Sequence, residues 1–358
     1  MTRFRTSPLV SLTVLALAAG LPAAVAAPAA AAAAAAKTYT ITDMGSLGFG
    51  ESVPYGINAT GQVTGLSYLS STYKYSCGYP VRTCTAHPYH AFLYGNGQMT
   101  DLGTLGGTNS QGNAVNLSDQ VAGVANTNKG GIDATLWTGK KATDLGALAP
   151  LSAGSYSVAY GINDSGQVVG SWAAGVTAIN NGSHPFLYSN GTITSLPEPS
   201  NLTVAACEAR AINNNGQIAG MCTDTSGNGY LVMWQNGTVT DLGTIGNIGT
   251  LSDLEAMSMN NNGQIAGWTA VSTTGFLYSN GTITQLSGFF PNAINDNGVM
   301  VGGHLIDSGG TVQDLNSLIP AKSGYQITYA TGINDNGQIV AYASDATTSY
   351  AAVLLNPS

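Results

Sequence analysis

The chain has 358 residues, of which 44% are hydrophobic and only 8% are charged, and its formal net charge is -8. So few charges exclude a long coiled coil and a charge-rich disordered chain. The acidic balance, with no block of Lys or Arg residues, offers nothing to hold phosphates, so nucleic acid is not an expected partner.

The first residues have the pattern of a secretory signal peptide. Arg3 and Arg5 form a basic start, residues 9–21 are apolar, and residues 24–26 (Ala-Val-Ala) match a cleavage site. The predicted segments are a signal peptide at 1–26, an Ala-rich spacer of low complexity at 27–37 and a mature domain at 38–358. We therefore expect a secreted, extracellular or periplasmic protein with no membrane span in its mature part. An uncleaved anchor is the alternative, because residues 9–36 carry no charge.

One short phrase recurs seven times along the mature chain, each time around an Asn. The first copy is 57–63 (Ile-Asn-Ala-Thr-Gly-Gln-Val), and a degenerate copy at 115–121 has Asp119 where Gly is expected. Asn, Asp and Gly tolerate the positive φ of tight turns, so each copy predicts a β-hairpin. The spacings are 58, 47, 50, 47, 35 and 39 residues, close to the ~40–50 of propeller blades. The seven residues are Asn58, Asn116, Asn163, Asn213, Asn260, Asn295 and Asn334.

A second phrase follows the hairpins. Its clearest copy is 91–103, in which two strand-like runs flank Gly-Asn-Gly, again a turn signal. Further copies occur at 186–196, 232–243 and 276–286, with looser ones at 136–146 and 310–315. Each unit therefore holds four short strands, and no segment of helical periodicity interrupts the mature chain.

The two ends of the chain indicate a closed ring. The last unit has its hairpin at Asn334 and a third strand at 350–355, but no fourth strand follows, whereas 39–45 is a fourth-strand phrase without the three strands before it. The sequence therefore predicts an all-β fold, a seven-bladed β-propeller of four-stranded blades closed by the N-terminal strand, which protects the sheet edges. A β-solenoid is the alternative, but it gives no reason to split one unit between the termini.

The chain resembles the HAF-repeat family of predicted extracellular proteins. The residues that carry the resemblance are 90–94 (His-Ala-Phe-Leu-Tyr) and 99–107 (Met-Thr-Asp-Leu-Gly-Thr-Leu-Gly-Gly). The two phrases cover nearly all of the mature chain, but the full triplet occurs only in the first unit, and 184–186 reads His-Pro-Phe. The resemblance implies export and a repeat fold, and it brings no activity or catalytic residue.

The four cysteines favour disulfides, because their number is even and the chain is expected to be exported. Cys207 and Cys222 are equally distant from a turn centred between Asn214 and Asn215, so they should face each other directly across a hairpin, within disulfide range. The second predicted bridge, Cys77 to Cys84, lies in a Tyr-rich insertion and is less constrained.

No catalytic, metal or cofactor site is predicted. The four His residues have no visible companion base or ligand cluster, and each Asn-Asp-x-Gly turn has at most one carboxylate, where a calcium loop needs several. An Asp recurs at the end of the fourth strands, which we interpret as blade-to-blade hydrogen bonding rather than a paired active site. These residues are Asp43, Asp101, Asp144, Asp241 and Asp314.

Aromatic residues are the remaining functional signal, since exposed rings suit sugars or peptides. The candidate ligand-binding residues are Tyr68, Tyr73, Tyr75, Tyr79, Trp172 and Trp268. The alternative is that the tyrosines only pack a disulfide-pinned loop. All variation in loop length falls on one face, at 66–88, 171–184, 197–206 and 246–254.

The expected function is that of a secreted, non-enzymatic propeller that binds an extracellular glycan or protein through this long-loop face. The alternative is a polysaccharide hydrolase or lyase on the same fold, and enzymatic activity is left open. A carboxylate pair about 5–9.5 Å apart in a central pocket would favour that alternative.

Overall fold

Runs of alternating residues between Asn- and Gly-rich turns form antiparallel strands, since successive side chains can pack on opposite faces of a sheet. The computed structural model has seven four-stranded antiparallel sheets, arranged as the blades of a β-propeller, which confirms the predicted fold class. The structure describes residues 37–77, 82–146, 156–173, 182–251, 254–271 and 274–358, all in the compact unit Lys37–Ser358. The predicted signal peptide lies outside these residues. Within them, no helix is long and apolar enough to cross a membrane.

The blades follow one another along the chain, and in each the first strand is innermost. Blade 1 contains β2 (Ser52–Ile57), β3 (Val63–Tyr68), β6 (Tyr89–Gly95) and β7 (Gln98–Gly103), with an insertion hairpin of β4 (Tyr73–Cys77) and β5 (Arg82–Ala86). Blade 2 contains β8 (Gly106–Val115), β9 (Gln120–Thr127), β10 (Ile132–Thr138) and β11 (Lys141–Asp144). Blade 3 contains β12 (Tyr156–Ile162), β13 (Val168–Ala173), β14 (Ser183–Ser189) and β15 (Thr192–Ser195).

The remaining blades repeat this order, except that the last takes its outer strand from the N-terminus. Blade 4 contains β16 (Val204–Ile212), β17 (Ile218–Asp224), β18 (Asn228–Gln235) and β19 (Thr238–Asn247). Blade 5 contains β20 (Leu254–Met259), β21 (Ile265–Thr269), β22 (Thr274–Ser279) and β23 (Thr282–Ser287). Blade 6 contains β24 (Ala293–Ile294), β25 (Met300–Gly302), β26 (Leu305–Ser308) and β27 (Thr311–Asp314), followed by a 3-10 turn, Leu315–Ser317. Blade 7 contains β28 (Gln326–Ile333), β29 (Ile339–Ser344), β30 (Ala351–Pro357) and β1 (Tyr39–Asp43).

The N-terminal strand closes the ring as predicted. β1 pairs with β30 in antiparallel register from Tyr39 opposite Pro357 to Asp43 opposite Val353. The Tyr39 amide also donates to the Leu318 carbonyl at 2.8 Å, and the Tyr39 side chain is only 2% exposed. The closing strand is therefore both hydrogen-bonded and buried.

Removal of the closing strand should destabilise the whole ring. A chain that begins at Met44 loses the β1 ladder and the buried Tyr39 ring, and it exposes the edge of β30. We expect its melting temperature to fall by several degrees or more, since about 1 kcal/mol corresponds to roughly 2–4 °C in a large domain. A chain that begins at Lys37 is the matched control. Equal melting temperatures for the two chains would contradict this account of closure.

The seven repeated Asn residues form a closed ring of hydrogen bonds around the channel axis. Each Asn side-chain amide donates to the main-chain carbonyl of the Asn in the next blade, at 2.9–3.2 Å. The ring closes where Asn334 donates to the Asn58 carbonyl at 3.0 Å. All seven residues are buried. Hydrogen bonds thus join each Asn turn to the Asn turn of the next blade.

The same Asn also builds its own turn, as Asn213 shows. Its Oδ1 accepts the amides of Asn215 and Gln217 at 3.1 and 3.0 Å, and its Nδ2 donates to Gln217 Oε1 at 2.8 Å as well as to the Asn260 carbonyl at 3.1 Å. This explains why Gln recurs four residues after Asn, because the Gln side chain fills the second acceptor place beside the buried amide.

Replacement of one ring residue should therefore cost far more than an ordinary turn substitution. In Asn213→Ala the four hydrogen bonds are lost and buried partners remain unpaired, so we expect the free energy of unfolding to fall by about 2–5 kcal/mol. This loss in the free energy of unfolding is measured by urea unfolding of the purified protein. The control is Asn190→Gly in an exposed turn, where φ is 50° and glycine fits. Equal losses in the two variants would contradict the role of the ring.

The disulfide between Cys207 and Cys222 is present, with the two residues paired directly and their Cα atoms 4.1 Å apart. The register arises differently from the prediction. The turn runs from Asn213 to Gln217, one residue longer than assumed, and a bulge at Arg210 shifts the pairing back by one. Cys84 is also disulfide-bonded, but the side chain of Cys77 lies outside the described residues, so their pairing stays a prediction.

Loss of the Cys207–Cys222 bridge should weaken blade 4. The bridge closes a loop with a sequence separation of 15, for which the chain-entropy estimate is about 3 kcal/mol. We expect Cys207→Ala with Cys222→Ala to lower the free energy of unfolding by that order, measured in urea. The matched control, Cys207→Val with Cys222→Val, refills the buried volume and should lose a similar amount. An unchanged free energy of unfolding in both double variants would show that the bridge does not stabilise the fold.

Candidate binding site at the wide mouth of the channel

The seven copies can be compared with one another position by position. The residue before each ring Asn is always apolar, whereas the residue three places before it differs strongly between copies. The apolar set is Ile57, Val115, Ile162, Ile212, Met259, Ile294 and Ile333. The second set, here named the variable ring, is Tyr55, Asn113, Tyr160, Arg210, Met257, Asn292 and Thr331. A position that the fold leaves free to vary is where a propeller can specialise.

Strand bulges mark the variable ring. In five of the seven blades the pairing of the first and second strands shifts at this residue, as at Tyr55, Tyr160 and Arg210. A bulge adds a residue that faces no partner and re-aims its side chain. All seven variable-ring residues line the channel.

A glycine in the second strand makes room for this bulged backbone. A Cβ on Gly170 would collide with the Val158 carbonyl and lie 2.7 Å from Cζ of Phe186, the third-strand aromatic of the same blade. A Cβ would likewise collide with a first-strand carbonyl oxygen or the carbonyl oxygen before that strand at Gly65, Gly123, Gly220, Gly267 and Gly302, whereas blade 7 has Ala341 at this position. Phe186 is fully buried, as is Phe92 in the His-Ala-Phe triplet.

The channel widens from the Asn ring toward the opposite face. The Asn turns and the turns between third and fourth strands lie on one side of the ring, which we name the tight-turn face. The first strands run toward the Asn turns. Their first residues therefore lie on the opposite, long-loop face. Cavities of about 180 Å³ at the Asn ring, 290 Å³ at the variable ring and 620 Å³ at the mouth follow one another. Of these three channel cavities, the largest is thus on the face predicted to bind.

A compensated charge pair lies in the wall of the mouth. Arg210 Nε donates to Glu208 Oε2 at 2.7 Å, and the guanidinium carbon lies 4.2 Å from the ring centre of Tyr160, a cation–π contact. Glu208 is 2% exposed and the Arg210 side chain 17%. Although burial alone would lower it, the nearby carboxylate raises the pKa of Arg210, so the guanidinium stays charged. The pair contributes hydrogen-bonding groups but almost no net charge.

Aromatic side chains form most of the remaining wall, and one amide holds two of them. Asn292 Oδ1 accepts from Trp268 Nε1 at 3.0 Å and from the Tyr329 hydroxyl at 3.1 Å, while its Nδ2 donates to the Ala330 carbonyl at 2.8 Å. The mouth cavity is also lined by Tyr55, Tyr160, Tyr342 and Tyr350. The rings of Trp268 and Tyr329 are therefore positioned by half-buried hydrogen bonds before any ligand arrives.

The tyrosine hydroxyls of the mouth stay protonated at neutral pH. Burial, followed by neighbouring tyrosines, raises the pKa of Tyr55 to about 12, and burial also raises the pKa of Tyr160. Burial likewise raises the pKa of Tyr329 and of Tyr342. These groups are therefore neutral hydrogen-bond donors and acceptors next to apolar ring faces.

The predicted binding residues are spread over two regions. Trp268 lines the mouth. Tyr68 lies 5.6 Å from the ring of Tyr89 near the blade 1 rim, and Tyr73 and Tyr75 lie on the insertion hairpin, with ring centres 6.0 Å apart. Tyr79 lies outside the described residues. Trp172 is apart from the mouth lining and packs against a histidine ring at 5.0 Å.

The recurrent Asp residues have a local role, which corrects the expectation of blade-to-blade bonding. Four of them accept the main-chain amide two residues later, at 2.7–2.9 Å, and so end the fourth strands; they are Asp43, Asp101, Asp241 and Asp314. The Asn ring makes the blade-to-blade bonds instead. Asp101 also lies 2.9 Å from Nδ1 of His90. Although burial acts to raise it, hydrogen bonds from His90 and the Gly103 amide hold the pKa of Asp101 below its usual value.

Other titratable groups do not gather into a reactive site. Burial, followed by Asp144, raises the pKa of Asp133 to about 6, but neither residue lines the mouth. In the described part of the chain, no three His, Cys, Asp or Glu side chains cluster with the spacing of metal ligands.

No protein-family model matches the chain, and no curated protein is similar to it in sequence. Solved structures resemble it at low identity. PorZ, an essential surface component of the type-IX secretion system of Porphyromonas gingivalis, matches with a TM-score of 0.47 and 13% identity over 84% of this chain and 46% of that one. YCF48 bound to a D1 peptide gives 0.43 and 11% over 90% and 97%, and virginiamycin B lyase from Staphylococcus aureus gives 0.43 and 14% over 89% and 99%. Function therefore has to be argued from this chain's own residues.

Proposed function

We propose that the protein is a secreted, non-enzymatic propeller that binds an extracellular partner, a glycan or a protein, through the channel mouth on its long-loop face. The observation that carries the proposal is the variable ring. The seven copies keep the Asn and the apolar residue before it, yet they place Tyr55, Tyr160 and Arg210 side chains at one bulged position that faces the channel. Divergence at a position that faces the channel is expected of a recognition surface.

The wall chemistry supports binding. Positioned aromatic rings beside a few convergent polar groups are typical of ligand sites, and the 620 Å³ mouth is of ligand size. Trp, Tyr and Arg are also the residues that contribute most to affinity in protein interfaces. Both partner classes therefore suit the mouth.

A hydrolase is supported less well by this geometry. Among the described residues that line the mouth, Glu255 is the single carboxylate, whereas glycoside hydrolysis by the usual route needs two. Glu208 lies behind the wall, 2% exposed and engaged by Arg210, so it is not placed to accept a substrate proton. The arrangement thus favours binding over bond cleavage.

Export is supported by two features of the chain. The N-terminal pattern of a signal peptide and the Cys207–Cys222 disulfide both suit an oxidising compartment outside the cytoplasm. The resemblance to the HAF-repeat family adds to this proposal, since it implies export.

The proposal is tested with the mature chain, residues 38–358, on a glycan array and in affinity capture with extracellular proteins. Trp268→Ala and Tyr329→Ala remove mouth rings and should each weaken binding of the identified partner by tenfold or more, since hot-spot losses are about 2 kcal/mol and above. The matched control is Leu117→Ala, which removes an exposed apolar side chain, 46% accessible, from the tight-turn face.

Two results would count against the proposal. Binding that survives the mouth variants but is lost in Leu117→Ala would place the site on the tight-turn face. Release of reducing sugars from a polysaccharide, abolished by Glu255→Gln in a protein of unchanged melting temperature, would establish the hydrolase instead.

A further inference from the structure

A row of tyrosines leads out of the mouth and across the junction of blades 7 and 1. Within blade 7, the rings of Tyr329 and Tyr342 lie 5.5 Å apart, and those of Tyr342 and Tyr350 also lie 5.5 Å apart. On the insertion hairpin of blade 1, Tyr73 and Tyr75 lie 6.0 Å apart. We name the whole row the aromatic strip; its members are Tyr329, Tyr342, Tyr350, Tyr68, Tyr73 and Tyr75.

Tyr68 connects the two halves of the strip. The Tyr350 carbonyl accepts the Ser52 amide at 2.8 Å, and the Tyr68 amide donates to the Glu51 carbonyl at 3.0 Å, so three neighbouring segments join at this point. The Leu69 amide donates to the Pro88 carbonyl at 2.8 Å, so Tyr68 ends β3 at the base of the insertion hairpin. Tyr68 therefore lies between the blade 7 rings and the rings of the insertion hairpin.

The strip has partly buried and exposed members: Tyr68 and Tyr73 are half-buried, whereas one ring at the mouth rim and one at the far end are exposed. Tyr329 and Tyr342 are partly buried in the mouth, Tyr350 at its rim is 43% exposed, and Tyr75 at the far end is 46% exposed. A contiguous row of aromatic rings with exposed members is typical of an interaction surface. A ligand too long for the mouth could continue along them.

The chemistry of the strip selects among the occupants that such a row could take. Every member offers an apolar ring face together with a hydroxyl, which matches a sugar unit with its C–H face and hydroxyl rim. The Arg210 guanidinium is already compensated by Glu208, and the chain as a whole carries a net charge of -8. An anionic polymer would therefore meet repulsion, and among the described residues that line the mouth it would find no free cation.

We propose that the aromatic strip binds a single chain of an uncharged polysaccharide, which runs from the channel mouth to the insertion hairpin. The proposal rests on the proposed function of the mouth and adds the class of ligand and its path. Because successive sugar units contact successive rings, affinity should increase with the length of the chain.

The test is calorimetric titration of the mature chain with neutral cello-, laminari- and chito-oligosaccharides, each as a disaccharide and as an octasaccharide. At least one series should bind, with the octasaccharide at least about tenfold tighter. Tyr329→Ala should weaken binding of both lengths. Tyr75→Ala should weaken only the octasaccharide, by about threefold to tenfold, because the disaccharide does not reach this ring. Tyr75→Phe keeps the ring but loses the hydroxyl, so it should bind the octasaccharide more tightly than Tyr75→Ala does. Lys74→Ala changes the exposed neighbour on the same strand and should bind nearly as the natural chain does.

Several outcomes would overturn the strip. The first two concern Tyr75→Ala: it weakens the disaccharide and the octasaccharide equally, or it weakens neither. The others concern the ligand: acidic alginate binds more tightly than the neutral sugars, a proline-rich peptide binds in place of the sugars, or none of the three neutral series binds. In each of these cases a partner that depends on Trp268 would leave the function of the mouth intact. If no partner depends on the mouth at all, the proposed function fails with the strip.

Discussion

The fold depends on one repeated hydrogen bond, from the side-chain amide of each ring Asn to the main-chain carbonyl of the next. Seven such bonds close on themselves, so every blade is held by both neighbours and no blade is terminal. In a buried setting these bonds polarise one another and exclude water. Because Asn also closes its own turn, substitution of one residue disturbs the hairpin and the ring together, which explains why the phrase is kept so uniformly along the chain.

The Asn ring fixes one end of each first strand, and this determines at which positions the seven blades can differ in sequence. The Asn ring narrows the channel on the tight-turn face, and the apolar residues before it fill the next layer. The first strands then diverge, and bulges near the variable ring aim single side chains such as Tyr55 and Arg210 at the axis. These side chains face the cavity and fill no core, so their identity is free of the packing constraints that fix their neighbours.

The fold could be predicted from the sequence because the Asn turn phrase is repeated seven times, so that a degenerate copy can be recognised from the other six. The sequence was less informative about detail. The Cys207–Cys222 register was predicted correctly although the longer turn and the bulge at Arg210 were both missed, because the two shifts cancel. Recurrence alone likewise could not separate a local Asp cap from a blade-to-blade bond. Trp268 was identified by aromatic content, whereas Tyr55 and Tyr329 were missed. Tyr55 lies at a bulge, which leaves no mark in the alternation of a strand; alignment of the seven copies on Asn would have shown that this position varies.

The charge arrangement links the architecture to the kind of recognition it supports. A propeller channel concentrates the first residues of seven strands around one axis, so any uncompensated charge there would act on the entire mouth. This chain places a guanidinium at the variable ring but pairs it with Glu208, a neighbour on the same strand, inside the wall. The pair therefore stiffens the wall and presents donors without a strong field. What remains to discriminate among ligands is the shape of the aromatic wall and the pattern of its hydroxyls, and both are fixed by the strands that the Asn ring holds in place.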